Sequence, residues 1–245
     1  MDTGGHSRAV GPEEGAGNDQ AGGARVTSLW FSLQDFFSTS SNWSGPSGIP
    51  ARVGEHAVYT ILAWLLAAGI AVPIGLWTGH SGRAGLLVGA TANAARALPT
   101  YGVLVLLVVL LGIGLGPVLI PLVALAVPPI LLNTYEGVRA VPPTTTDAAR
   151  GMGMTGREVL WQVELPMALP LMLVGLRTAA VQVVATATIA AAVSFGGIGR
   201  YIIDGLARRD YTLVVGGAVL AMAASILVLG LFVVARRVLV SPGLR

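Results

Sequence analysis

The sequence predicts an all-α polytopic membrane protein with about five transmembrane helices, and three observations predict it. Charged residues make up 11% of the chain against 54% hydrophobic, and the mean hydropathy is +0.75, whereas a soluble domain carries roughly a quarter charged residues. The apolar residues gather into runs near the roughly 20 residues that a helix needs to cross the hydrocarbon core. Gly and Pro number 33 and 14 in 245 residues without a collagen-like period, and both are commoner in membrane helices than in soluble ones.

Residues 1–24 are rich in Gly, Ala and acids and hold no aromatic residue. They are expected to be a disordered tail, because they cannot bury enough apolar surface to offset chain entropy. No apolar run follows the first arginine, so no secretory signal is expected there. Residues 25–54 read as an interfacial segment and linker. Leu29, Trp30, Leu33, Phe36 and Phe37 fall at roughly helical spacing, which suits an amphipathic helix on the bilayer surface against the alternative of a loosely ordered loop, and 44–50 (SGPSGIP) is a breaker.

The membrane domain is expected over 55–237. Its first span runs from about Ala57 to Thr78 without a charge. The second runs from about Gly85 to Ile113, carries Asn93 and Arg96, and is broken by Pro99. The third, about Pro117 to Tyr135, contains Pro121, Pro128 and Pro129. Polar sequence from Glu136 to Leu165 then interrupts the series, before spans at about Met167–Val193 and Leu213–Ala235 and a tail over 238–245.

Arginines near span ends favour an outer amino terminus and an inner carboxyl terminus. In that orientation the inner loops and tail hold Arg83, Arg139, Arg150, Arg157, Arg236, Arg237 and Arg245. The outer segments hold Arg52, Arg200, Arg208 and Arg209.

Composition also narrows the chemistry. All 15 basic residues are arginine, so neither a P-loop lysine nor a Schiff base can form. Without cysteine there is no thiol nucleophile, disulfide or Cys-bound zinc. His6, His56 and His80 are read as scattered between the tail and two loops, with no metal-ligand spacing. No catalytic residue, metal or cofactor is assigned, and a net charge of +3 offers no nucleic-acid face.

The polar loop, 142–166, carries the strongest functional signal. Pro142 and Pro143 stop the preceding helix, Thr144 or Thr145 can cap a new one, and Asp147 is expected in its first turn. Gly151 and Gly153 release the backbone into a turn, and a second short helix is expected over Arg157–Val163. Such a helix-turn-helix could lie on lipid headgroups as a plain connector.

The loop resembles the cytoplasmic coupling loop of binding-protein-dependent ABC importer permeases, whose pattern is E-A-A, three residues, G, nine residues, I, one residue, L-P. Asp147, Ala148 and Ala149 stand at the first three positions, Gly153 at the fourth, Val163 at the fifth, and Leu165 and Pro166 close the motif. Asp for Glu and Val for Ile keep charge and apolarity. Further segments are similar to the osmoprotectant branch of that family, which carries glycine betaine, choline, carnitine or proline. These are Leu98–Gly102, Leu111–Gly114, Asn133–Val138, Gly175–Ala180 and Phe195–Gly199. The resemblance covers about 55–237. It implies the type I importer permease fold and a coupling helix that engages separate ATPase subunits, which bind the ATP. It further implies a second permease subunit, identical or paralogous, and an extracytoplasmic solute-binding protein. The alternative within transporters is an amino-acid permease of the methionine type. A passive channel or a polytopic membrane enzyme stands behind both.

Arg96 and Arg177 lie well inside apolar stretches, where a lipid-facing charge is costly, so neither should face lipid. Thr178, Gln182 and Thr186 repeat every four residues beside Arg177 and predict one polar stripe. The stripe, with Asn93 and Arg96, would line either the translocation path or the interface with the second subunit. The run Phe195–Gly199 is expected to permit a tight bend or a re-entrant turn between the last two spans.

Overall fold

The structure, a computed structural model, describes residues 29–83, 85–97, 99–193 and 195–240, with the backbone alone over 92–97. The expected disordered tail and His6 lie outside the described residues. The helices are α1 (29–38), α2 (Ile49–Ser81), α3 (Gly85–Ala97), α4 (Thr100–Leu111), α5 (Leu115–Arg139), α6 (Pro143–Gly151), α7 (Gly156–Val159), α8 (Leu165–Ala187), α9 (Gly199–Arg208) and α10 (Tyr211–Leu239). Among the described residues, α2, α5, the run Gly156–Val193 and α10 are the four helices long and apolar enough to cross a membrane.

Several boundaries differ from the sequence reading. The first span starts at Ile49 rather than Ala57. The supposed breaker opens it, because Pro50 sits in the first turn, where a missing N–H has no helical partner to lose. The second segment is two helices, α3 and α4, of 13 and 12 residues. Pro99 begins the second piece in extended backbone, φ −73° and ψ 93°, since its ring cannot follow a helical turn. His56 and His80 lie on α2, not in loops. The fourth span ends its α-helix at Ala187 and tightens into a 3₁₀ stretch over Thr188–Val193.

Lipid contact explains which face of each helix turns inward. On α2 the buried positions Tyr59, Ala63, Ala67, Ala71, Gly75 and Gly79 recur every four residues. Val58, Leu62, Leu65, Ile70, Ile74 and Trp77 point outward and are exposed. Lipid tails solvate leucine as well as a protein core does, so close backbone approach through small residues decides the inner face. A Cβ on Gly75 would lie 2.7 Å from Thr134 Cβ, and one on Gly79 would lie 2.7 Å from Val138 Cβ. Across α5's other side, a Cβ on Gly175 would lie 2.6 Å from the Pro129 carbonyl oxygen. Helix α5 is thus the central post, clasped by α2 and α8.

At one end of this bundle, α1 docks by Phe36, which is fully buried against Tyr201 with ring centroids 5.2 Å apart. Gly216 on α10 leaves the notch for its ring. Trp30 and Phe31 on the same helix are exposed.

Candidate functional site

The loop after α5 forms a knob at the bundle end that holds His80. Pro142 occupies the N-cap position of α6 without a side-chain bond, and Pro143 is its first residue. Thr144 and Thr145 therefore lie within the helix, and Asp147 falls past the first turn. Proline's fixed φ starts the helix two residues earlier than a cap at Thr144 would. Asp147 Oδ1 instead pairs with Arg150 Nη1 at 3.4 Å on the exposed face, an arrangement that stabilises little.

Ala149 is buried under α6, whereas Ala148 and Gly151 are exposed. Gly153 has φ +91° with open space around its missing side chain. That left-handed backbone is where glycine is favoured. Met152, 78% exposed, stands at the tip of the turn.

The second half of the loop is not a separate helix. Helix α7 passes through a π-helical turn, Leu160–Glu164, directly into α8. Its start is a capping box. The Thr155 N–H and hydroxyl both donate to Glu158 Oε2, at 2.7 and 2.8 Å, and the Glu158 N–H donates to Thr155 Oγ1. The bond from the Thr155 N–H, then that from its hydroxyl, holds the Glu158 carboxyl below its usual range. The T-x-x-E spacing that signals this cap is legible in the sequence.

Val163 and Leu165 are half-buried, and Pro166 is exposed in the first turn of α8. Between Val163 and Leu165, Glu164 is buried and accepts a 2.6 Å hydrogen bond from His80 Nδ1 at the end of α2. Sequence reasoning misses this pair, whose members stand 84 positions apart.

Helix α8 carries the second candidate site at mid-depth. The Trp64 indole N–H on α2 donates to the Leu176 carbonyl at 2.9 Å, which fixes the rotation of α8 there. Arg177, Thr178 and Gln182 then line a cavity of about 710 Å³. Asn133, Pro128 and Pro129 on α5 and Leu229 on α10 complete much of its wall. Thr178 turns its hydroxyl to the Val174 carbonyl, and Asn133 donates its amide to the Pro129 carbonyl.

The expected four-residue stripe is not continuous. Thr186 belongs to a separate small cavity with Thr100 and Leu104 of α4, because four residues exceed one helical turn and the stripe drifts around α8. Asn93 and Arg96 lie on α3, and their side chains fall outside the described residues.

At the opposite end from the knob, Phe195–Gly199 makes the expected bend, with Gly197 at φ +93°. The Gly197 N–H donates to Glu55 Oε2 at 2.8 Å, and Glu55 also pairs with Arg52 at 2.9 Å. The Tyr59 hydroxyl donates to the Gly196 carbonyl, so α2 holds both sides of the bend.

Comparison with known proteins bears on the chain as a whole. The family described as "Binding-protein-dependent transport system inner membrane component" matches residues 71–245. The chain is similar to the glycine betaine/carnitine/choline transport system permease protein OpuCB of Bacillus subtilis, 33% identical over 79% of this chain and 89% of that protein. It is likewise similar to the choline transport system permease protein OpuBB of the same organism, 34% identical over 78% and 88%. Among solved structures, inward-facing conformations of the MetNI methionine ABC transporter match with a TM-score of 0.67 and 23% identity, over 78% of this chain and 95% of that one. At that identity the likeness concerns the fold.

Proposed function

The chain belongs to the family of binding-protein-dependent transport system inner membrane components, and on that premise we propose that it is the permease subunit of an ATP-driven importer for small osmoprotectants of the glycine betaine, choline, carnitine or proline type. It is a multi-pass membrane protein and a transport subunit, not an enzyme. In our reading, separate ATPase subunits bind and hydrolyse ATP, a second permease subunit completes the path, and an extracytoplasmic protein delivers the solute. The amino terminus lies outside, and the knob and carboxyl terminus lie in the cytoplasm. The relatives above support the osmoprotectant class, while the methionine transporter shares the fold at lower identity.

One observation carries the coupling role. The Asp147–Gly153 motif forms an exposed knob whose roots are tied into the bundle, through buried Ala149 and Val159 and through Glu164 on His80. A push on α6 by closing ATPases passes into α2 at His80 and, through the π-turn, into α8. Packed helices respond by rigid-body displacement, since their cores are not continuously deformable. The cavity beside Arg177 lies on that same α8.

The test is uptake in cells deleted for their own osmoprotectant and methionine importers, with the chain expressed beside its ATPase and binding protein. Uptake of a radiolabelled osmoprotectant is expected. Uptake of methionine with none of the four osmoprotectants would overturn the substrate class.

A further inference from the structure

Among the described residues, Arg177 makes no hydrogen bond or ion pair, although it stands in the interior of α8, 11 positions past Pro166 and therefore roughly 16 Å along the helix. That is about half the hydrocarbon thickness, where an unpaired charge is costly. Arg177 lines the 710 Å³ cavity, a volume in the range of small-ligand sites and far above the voids left between packed helices. Resting on the osmoprotectant reading, we propose that this cavity is a solute subsite for small zwitterions in which Arg177 receives the carboxylate.

The wall chemistry fits such a ligand at both ends. A guanidinium presents a planar fork of donors that matches a carboxylate bidentately, and Asn133, Thr178 and Gln182 are the neighbouring uncharged polar groups. The rest of the wall, with Leu125, Leu132, Val181 and Leu229, is apolar and suits the methyl groups of an alkylated ammonium. Pro128 and Pro129 lack N–H groups, so the carbonyls of Ala124 and Leu125 lose their usual donors four residues on. Such carbonyl dipoles favour a cation. In the antiparallel register set by Gly175 against Pro129 and Gly137 against Ala168, Leu125 stands near the level of Ala179, close to Arg177. The cavity therefore discriminates solutes by the carboxylate. Choline, a cation without one, leaves Arg177 unpaired.

The experiment measures equilibrium binding of radiolabelled glycine betaine and choline to the purified transporter in nanodiscs, without its binding protein, so that no other solute site contributes. We expect the unaltered complex to bind glycine betaine at least about tenfold more tightly than choline, the scale of one charge-assisted contact. R177Q should lose about tenfold for glycine betaine, and R177K should fall between. R177Q should also keep the subunit assembly of the unaltered complex in mild detergent. Equal affinity for the two solutes, unchanged glycine betaine binding by R177Q, or no binding by a complex whose cells import glycine betaine would each overturn the subsite. The comparison of solutes on the unaltered chain needs no variant and stands even where R177Q fails to assemble. Cells that import none of the osmoprotectants would instead defeat the substrate reading on which the subsite rests.

Discussion

Gly153 and the His80–Glu164 pair show how single residues set the knob. At φ +91° a β-branched side chain strains the backbone by about 1–3 kcal/mol, but open space around Gly153 means that nothing clashes. Gly153→Val should therefore insert at normal levels while losing most uptake, with weakened ATPase co-purification. Normal uptake by this variant would remove the turn from the mechanism. Glu164 is buried and His80 partly so, so His80→Leu leaves a buried carboxylate without its donor, at a cost of about 1–3 kcal/mol. Replacing both by leucine removes the orphaned group along with its partner. Thermal unfolding in detergent should show H80L destabilised and the H80L/E164L double variant largely recovered. A double variant as unstable as the sum of its singles would mean that the pair does not interact.

Helix α2 determines its own orientation through glycine spacing. Gly75 and Gly79 sit where a Cβ meets α5 side chains at 2.7 Å, whereas Gly69 has open space on the lipid side of the same helix. Gly75→Leu should push α2 off α5, lowering membrane-inserted yield or the melting temperature. Gly69→Leu should be tolerated, since lipid accepts leucine. Equal effects from the two substitutions would show that the close α2–α5 approach is not required. The Ala63, Ala67, Ala71, Gly75, Gly79 row was present in the sequence, but its partner was not. Any of the other helices could have faced a stripe of small residues.

Over the whole molecule, the two ends differ in character. One holds the knob with Asp147, Arg150 and His80, and the other holds Glu55 and the Gly197 bend. Reading the knob as cytoplasmic makes a topological prediction that the cysteine-free chain allows to be checked with single introduced thiols. An impermeant maleimide should label Arg208→Cys in intact cells and label Arg150→Cys after permeabilisation alone. Labelling at 150 and not at 208 would invert the orientation and detach the knob from any cytoplasmic ATPase.

Local chemistry made the membrane class, the order of the apolar segments and the spacing of Asp147 to Pro166 legible in the sequence. Hydropathy, proline breaks and fixed motif gaps all act over one or two turns of chain. Segment boundaries shifted where a proline read as a breaker opens the helix that follows it, as at Pro50 and Pro143. What the tertiary structure decided was rotation and register between helices. It separated Thr186 from Gln182 and placed Asn133 and Leu229 with Arg177. It also brought His80 to Glu164. In water, a polar face marks the outside of a helix. In a membrane both faces are apolar, so the sequence states that a helix spans without stating which side it turns to its neighbours, and backbone approach at a few glycines settles that.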